Sequence, residues 1–154
     1  MHSRTMMLVA LFVLALAVAL TVPAVAADDV GQFKVAKGTV SIERAKQRLP
    51  VAVGTVVQEG DIVITGADGS AGITFKDESL LSVGPDSVLA IDRFAFDSTT
   101  HAGAFETSLR QGSMAAVSGK IAKQSADAMR VRTPATILGV RGTEFLVRSS
   151  GVTP

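Results

Sequence analysis

The sequence predicts a single small all-β domain built from short, mostly antiparallel strands. Runs in which apolar and polar residues alternate recur along residues 33–148, and this period of two is that of a strand with one buried face. Glycines and turn-forming dipeptides separate the runs. Their spacing is typical of a β-sandwich and of a short β-solenoid alike, so the topology stays open.

The first residues have the three-part organisation of a signal peptide. Arg4 precedes an apolar stretch at residues 6–22, and Pro23 leads into a run of small residues. We expect cleavage after Ala26 or Ala27, giving a signal peptide at 1–26, a β domain at 27–154 and a periplasmic or secreted protein. An uncleaved membrane anchor is the alternative, because the apolar stretch lies at the lower limit for crossing a bilayer.

Composition argues against several kinds of chemistry. The chain has no cysteine, which excludes disulfides and thiolate sites and, for an exported protein, favours a bacterial envelope protein. Beyond the leader His101 is the only imidazole, and we expect it to be a solvated loop residue. We therefore expect no enzyme, no metal and no cofactor. Since Trp and Tyr are absent, stacking on sugars or nucleic acids is not expected.

The alternating runs give the strands in chain order. They lie at residues 39–43, 61–65, 71–76, 105–109 and 143–147, with a further run through Leu89 and Ile91. Phenylalanines fall mostly at their inward positions, so we expect them in the core. Between the second and third runs, Asp68-Gly69 predicts a tight hairpin. Residues 84–87, which include Pro85, predict another turn, and residues 97–103 a polar loop.

Residues 114–129 are ambiguous between strand and helix. Met114, Val117, Ile121 and Ala128 lie near helical spacing, but Gly119 costs a helix about 1 kcal/mol. We favour a strand through Val117 followed by a mobile loop at 120–127.

Charge is distributed unevenly along the chain. Residues 59–106 carry nine acidic residues against two basic ones, and residues 110–148 carry seven basic residues against two acidic ones. This pattern marks a polarised surface unless the distant segments pair in the fold. We expect the basic cluster of Arg44, Lys46 and Arg48, and the acidic pair Asp77-Glu78, to be solvated.

The last third contains the most distinctive residues. Pro134 lacks an amide donor and keeps Thr133 extended, so a strand through Val131 should end there. Gly139 and Gly142 bracket Arg141. We predict that the Arg141 guanidinium is confined between close backbones and bonds turn carbonyls or Glu144, which would hold the last strand on the sheet.

With these residues the chain resembles the FecR family, the extracytoplasmic domain of regulators in iron-siderophore signalling. The resemblance runs from about Phe33 to Arg148. It depends on residues 38–40, Gly60-Asp61, Asp68-Gly69, Pro85, Ser87, Gly112, Arg132-Thr133-Pro134 and Arg141-Gly142-Thr143-Glu144. The resemblance implies an all-β fold, a protein-protein role, no active site and a structural role for the motif residues. Where this chain has Glu78 the family often has glycine, and we expect a type I turn without positive φ.

Two departures from the family qualify that expectation. The membrane regulators begin with a cytoplasmic domain that holds a sigma factor, whereas only five residues precede the apolar stretch in this sequence. Those regulators also continue well beyond the domain that this chain resembles. The sequence thus predicts a stand-alone, non-catalytic sensing and interaction module whose partner is another envelope protein. The alternative is an envelope module that binds peptidoglycan or polysaccharide through its basic last third. We expect no nucleic-acid partner, and membrane contact only with an uncleaved leader.

Overall fold

The computed structural model describes residues 27–142 and 144–151, and this part of the chain is almost entirely β-structure. The all-β prediction is confirmed. The strands are β1 (Asp29–Lys37), β2 (Val40–Arg44), β3 (Gln47–Pro50), β4 (Val56–Gln58), β5 (Ile62–Thr65), β6 (Ser70–Phe75), β7 (Leu80–Val83), β8 (Val88–Phe96), β9 (Gly103–Val117), β10 (Met129–Arg132), β11 (Ile137–Val140) and β12 (Glu144–Ser149). The helix α1 (Lys120–Gln124) follows β9.

The strands form one strongly curled, half-barrel sheet in which β9 belongs to two half-sheets. The first half-sheet has the order β4-β1-β6-β7-β9-β12 and uses the C-terminal part of β9. The second has the order β3-β2-β5-β8-β9-β10-β11 and uses the N-terminal part. Neighbours pair antiparallel except β9 and β10, so the expectation of mostly antiparallel strands is confirmed.

One hydrophobic core joins the two half-sheets. Inward side chains from both contribute to it, and Phe33, Leu89 and Phe105 are fully buried. The rings of Phe75, Phe94 and Phe105 lie 4.6 to 5.6 Å apart, a separation at which aromatic rings attract each other beyond their burial. The core placement predicted for most of the phenylalanines is confirmed for these side chains.

The chain passes repeatedly from one half-sheet to the other, which corrects the predicted hairpin at Asp68-Gly69. Strand β5 belongs to the second half-sheet and β6 to the first, and the two do not pair. Neither Asp68 nor Gly69 has positive φ. The dipeptide forms a crossover because the inward faces of β5 and β6 belong to different halves of the curled sheet.

The helix α1 replaces part of the loop expected at residues 120–127. Its Ile121 and Ala122 are buried against the core, and this burial offsets the weak intrinsic helicity of a five-residue segment. Gly119, which argued against a helix, lies before its first residue. A side chain there would come within 2.2 Å of the Asp77 carbonyl oxygen, so glycine is required for the close approach.

Asp77, expected to be solvated, is fully buried beneath the start of α1. Its carboxylate accepts hydrogen bonds from the Ser79 amide at 3.0 Å, the Ser79 hydroxyl at 2.7 Å and the Ile121 amide at 3.4 Å. Its carbonyl oxygen accepts the Lys120 amide at 2.7 Å. The turn between β6 and β7 thus provides the N-terminal cap that α1 lacks in its own sequence.

Glu78 adopts a left-handed backbone with φ of +69°, so the expected turn without positive φ is wrong. Its exposed carboxylate lies 2.5 Å from the Lys120 ammonium. This hydrogen bond lowers the pKa of Glu78. The side chain therefore gains an ion pair at a position where the backbone favours glycine.

The predicted signal peptide and its anchored alternative lie outside the described residues. Across residues 27–142 and 144–151, no helix combines the length and apolarity needed to cross a bilayer.

Candidate protein-binding surface

Within residues 27–142 and 144–151, the candidate titratable residues lie apart from one another. No group of three or more His, Cys, Asp or Glu side chains within residues 27–142 and 144–151 is placed to hold a metal ion. His101 lies in the loop after β8, partly exposed, and its ring stacks on Phe96 with centroids 6.1 Å apart. Asp77 is buried whereas Glu78 is exposed, so these adjacent carboxylates do not face one common site.

The motif residues Gly60 and Asp61 lie where the chain crosses from β4 to β5. Asp61 is 1% exposed and accepts two hydrogen bonds from Arg44, at 2.8 Å from Nε and 2.7 Å from Nη2. The Gln58 amide donates a third at 2.9 Å. The expectation that Arg44 belongs to a solvated basic cluster is therefore wrong, and the hydrogen bond to Asp61 raises the pKa of Arg44.

Asp68 and Gly69 occupy the next crossover, from β5 to β6. The Asp68 carboxylate accepts the Thr39 amide at 3.2 Å, which joins this crossover to the one between β1 and β2. The pKa of Asp68 is lowered, mainly by a hydrogen bond with the Thr39 side chain and also by the one with the Thr39 backbone. A side chain at Gly69 would meet the Thr39 carbonyl oxygen at 2.3 Å, so the two crossovers pack too closely for any residue but glycine.

The crossover from β7 to β8 contains the turn predicted at residues 84–87. The Thr65 hydroxyl donates to the Gly84 carbonyl at 2.6 Å and accepts the Ser87 amide at 3.0 Å. The Ser87 hydroxyl in turn accepts the Ser113 amide at 3.0 Å, next to Gly112, where β9 passes between the half-sheets. These motif residues thus stabilise the passages between the two halves.

Arg132, Thr133 and Pro134 end β10, as predicted. The Thr133 amide donates to the Thr136 carbonyl at 2.8 Å, and its hydroxyl accepts the Thr136 amide at 3.1 Å, which closes the turn into β11. Arg132 lies 3.6 Å from Glu106 across the parallel pair of β10 and β9. Part of the sequence-level charge asymmetry therefore cancels in the fold.

Arg141 and Gly142 lie in the connection between β11 and β12, and the predicted confinement of Arg141 is wrong. Its side chain is exposed, and a Cβ at Gly142 would have no neighbour within 4 Å. Glu144 is exposed as well, and Thr143 lies outside the described residues. The expected close backbone approach is found only at Gly139 within β11, where a Cβ would lie 3.3 Å from the Ala126 carbonyl oxygen, whereas the surroundings of Gly142 are open.

An apolar groove of about 250 Å³ lies between β11 and β12, and we call it the C-terminal groove. It is lined by Leu138, Gly139, Val140, Arg141, Phe145, Leu146 and Val147. Each of the two strands pairs on one side only in the described structure, β11 with β10 and β12 with β9. The groove therefore combines apolar side chains, free strand edges and one exposed guanidinium.

Sequence reasoning identified the strand at residues 143–147 but missed the groove. Alternation marks one face of a strand as buried, and it carries no information about which edge is left unpaired. The run from Ile137 to Val140 contains no polar residue, which was the one available indication of an exposed apolar segment.

Comparisons with known proteins assign the family. Neither the curated proteins nor the solved structures gave a significant match. The profile of the family described as "FecR protein" matches residues 61–153, more than half of the 154-residue chain. The match begins at Asp61 and leaves out β1 to β4, where the sequence resemblance had already begun. The chain therefore belongs to the FecR protein family.

Proposed function

We propose that this chain is a non-catalytic, extracytoplasmic interaction and sensing module, which binds another envelope protein through the C-terminal groove. The observation that carries the proposal is the groove itself, with apolar side chains exposed between two free strand edges. Membership of the FecR family is consistent with this role. The proposed location in the periplasm or outside the cell depends on the leader-like residues 1–26.

Free strand edges favour an extended peptide as the occupant. Such a segment adds a strand through main-chain hydrogen bonds and gains specificity from pockets for alternate side chains. Leu138 is 39% exposed and Leu146 is 63% exposed, so both have apolar surface left to bury. Among the described residues that line the groove, Arg141 alone is charged, and its planar fork suits a carboxylate on the partner.

A photo-cross-linking experiment tests this function. A photoreactive residue replaces Leu138 in the groove. The control places the same residue at Val53, which is 65% exposed in the turn between β3 and β4. In each half-sheet, these strands lie at the end away from the groove. Illumination of intact cells should link the Leu138 position, and not the Val53 position, to one or a few envelope proteins that mass spectrometry identifies.

A charge reversal completes that test. Arg141→Glu should weaken the cross-link at Leu138, because the partner carboxylate would then meet a like charge. Equal labelling from both positions, or labelling that is insensitive to Arg141→Glu, would contradict binding through the groove.

Binding of an envelope polymer is the second candidate, and a different surface favours it. Arg110 and Arg132 line a shallow depression of about 290 Å³ with Ser108 and Thr133, which offers donors to anionic or hydroxyl-rich groups. Co-sedimentation with isolated cell wall should then fall as salt rises and fall further in an Arg110→Ala/Arg132→Ala variant. Sedimentation unaffected by either would exclude this candidate.

A further inference from the structure

We infer that β12 is a self-pairing edge, at which two copies of this chain join antiparallel about a twofold axis through Leu146. The inference rests on the proposed function, because β12 also lines the C-terminal groove. It names a second copy of this chain as one protein that binds this surface. The paired strands would continue the first half-sheet of one copy into that of the other.

The edge of β12 is available along its whole length. All six of its residues pair with β9 on one side, from Glu144 opposite Val117 to Ser149 opposite Gly112. No strand of the described chain pairs with its other side. A strand edge with unpaired backbone groups is a template for another strand.

The other edges are less suited to this pairing. Strand β3 carries Arg48 and ends at Pro50, and proline at an edge discourages pairing. Strand β4 has three residues, and its Val56 carbonyl already accepts Arg44 at 3.0 Å. Strand β11 has four residues and no charged side chain to select one register.

The sequence of β12 is complementary to itself when it runs antiparallel. If Leu146 lies opposite Leu146 of the second copy, Glu144 faces Arg148 and Phe145 faces Val147, on both sides of the axis. Outward side chains then meet outward ones, because Glu144, Leu146 and Arg148 are exposed. The pairing gives two opposite-charge contacts and a central apolar contact at the residue that is 63% exposed.

Other arrangements lose these contacts. Moving the twofold axis by one residue along β12, to Val147 or to Phe145, places Leu146 opposite Arg148 or opposite Glu144. Either change of register removes both ion pairs. A parallel pairing brings the two Glu144 side chains, and the two Arg148 side chains, towards each other. The charges of β12 therefore specify one register and one direction.

Exchanging the two charges of β12 gives the decisive experiment. It uses the purified protein with the N-terminus that the producing cell leaves on it. Sedimentation equilibrium from about 1 µM to about 1 mM should detect a concentration-dependent dimer of the parent. Glu144→Arg and Arg148→Glu should each raise the dimer Kd about tenfold or more, since each places like charges opposite each other. The double variant Glu144→Arg/Arg148→Glu should restore the Kd to within about threefold, because opposite charges again face each other across the axis.

A purely structural role of these exposed residues would not give that rescue. A parent that stays monomeric over the whole range, or a double variant as weak as the single ones, overturns the inference. Thermal unfolding of the variants at concentrations below the dimer Kd should match that of the parent, which shows that the change concerns association and not folding.

A single cysteine tests the position of the axis. Because the chain has no cysteine, Leu146→Cys introduces one thiol per copy, and two such thiols facing each other across an antiparallel pair lie near disulfide distance. Mild oxidation should link Leu146→Cys copies rapidly. Ile137→Cys on β11, which is 60% exposed, is the matched control and should link much more slowly. Equal rates would overturn the twofold pairing at β12.

The outcome separates this inference from the proposed function. A monomeric protein that still cross-links at Leu138 to another envelope protein refutes self-pairing and supports the proposed function. A dimer with no cross-linked envelope protein does the reverse.

Discussion

Arg44 and Asp61 form a two-pronged ion pair that joins the region before the family match to its first residue. Arg44 Nε and Nη2 lie 2.8 and 2.7 Å from the two carboxylate oxygens, and Asp61 is buried. Arg44 also donates to the Val56 carbonyl at 3.0 Å. One guanidinium therefore connects β2, β4 and the crossover into β5, a geometry that an ammonium group cannot reproduce.

The first prediction is that Arg44→Ala destabilises the protein by roughly 2 to 4 kcal/mol, because it leaves the buried Asp61 carboxylate without its charged partner. Arg44→Lys should recover only part of the loss. Denaturant unfolding measures both variants.

Two other arginines serve as controls for this measurement. Arg48→Ala and Arg141→Ala, at exposed positions, should each change the free energy of unfolding by no more than about 0.5 kcal/mol. A larger loss from Arg141→Ala than from Arg44→Ala would place the stabilising guanidinium at the C-terminal connection instead.

The class of fold could be predicted because period-two alternation is a local property of the chain. The curled sheet could not, because Asp68-Gly69 has the composition of a hairpin turn and only the pairing partners of β5 and β6 reveal a crossover. The crossover glycines and aspartates were recognised as motif residues from the family resemblance, but the sequence does not show what they contact. Their contacts, such as Asp68 with Thr39, join segments that are distant in sequence.

The sequence also could not predict which arginine forms a buried ion pair and which one is exposed at the candidate site. Arg44 and Arg141 both stand in polar or glycine-containing surroundings in the sequence, and only burial of Asp61 distinguishes the paired arginine from the exposed one. A loop was favoured over the helix at residues 120–127 because the cap of α1, Asp77, is supplied by a turn more than forty residues earlier.

The second prediction concerns that cap. Asp77→Ala should cost roughly 2 to 4 kcal/mol, because the Ser79 and Ile121 amides lose their buried acceptor. It should also speed limited proteolysis within residues 120–127, since α1 would no longer be held at its first turn. Unfolding and proteolysis unchanged from the parent would show that Asp77 does not stabilise α1.

The third prediction is that Glu78→Gly melts a few degrees above Glu78→Ala. Both variants lose the ion pair with Lys120, so their difference isolates the backbone at φ of +69°. Glycine adopts this conformation without strain, whereas alanine does not. Equal melting temperatures would mean that the turn relaxes out of the left-handed region.

The fourth prediction is a pH dependence that originates in part from Asp68. Its pKa is lowered in the folded protein, so its contribution is present above the unfolded pKa and is lost as pH falls through the folded one. Thermal unfolding between about pH 5 and about pH 3 should therefore reveal a loss of stability in the parent. Asp68→Asn keeps an acceptor for Thr39 but cannot titrate, and its loss should be smaller. Identical slopes would remove Asp68 from the acid response.

The last prediction compares two glycines that share a backbone conformation and differ in surroundings. Gly60 has φ of +88° and Gly112 has φ of +91°, so alanine at either site meets the left-handed penalty of about 1 to 2 kcal/mol. A Cβ at Gly60 has no neighbour within 4 Å, whereas one at Gly112 would lie 2.1 Å from the Ser87 hydroxyl oxygen.

The free energy of unfolding of Gly60→Ala should therefore fall only by the penalty for the left-handed backbone. Gly112→Ala must also displace Ser87, whose hydroxyl accepts the Ser113 amide at the passage of β9 between the half-sheets. We expect Gly112→Ala to cost more than about 4 kcal/mol, which marks a steric conflict in a packed region. Denaturant unfolding of the two variants measures the difference directly. If both lose the same amount, β9 tolerates displacement of Ser87, and the close packing at Gly112 is not what holds the two half-sheets together.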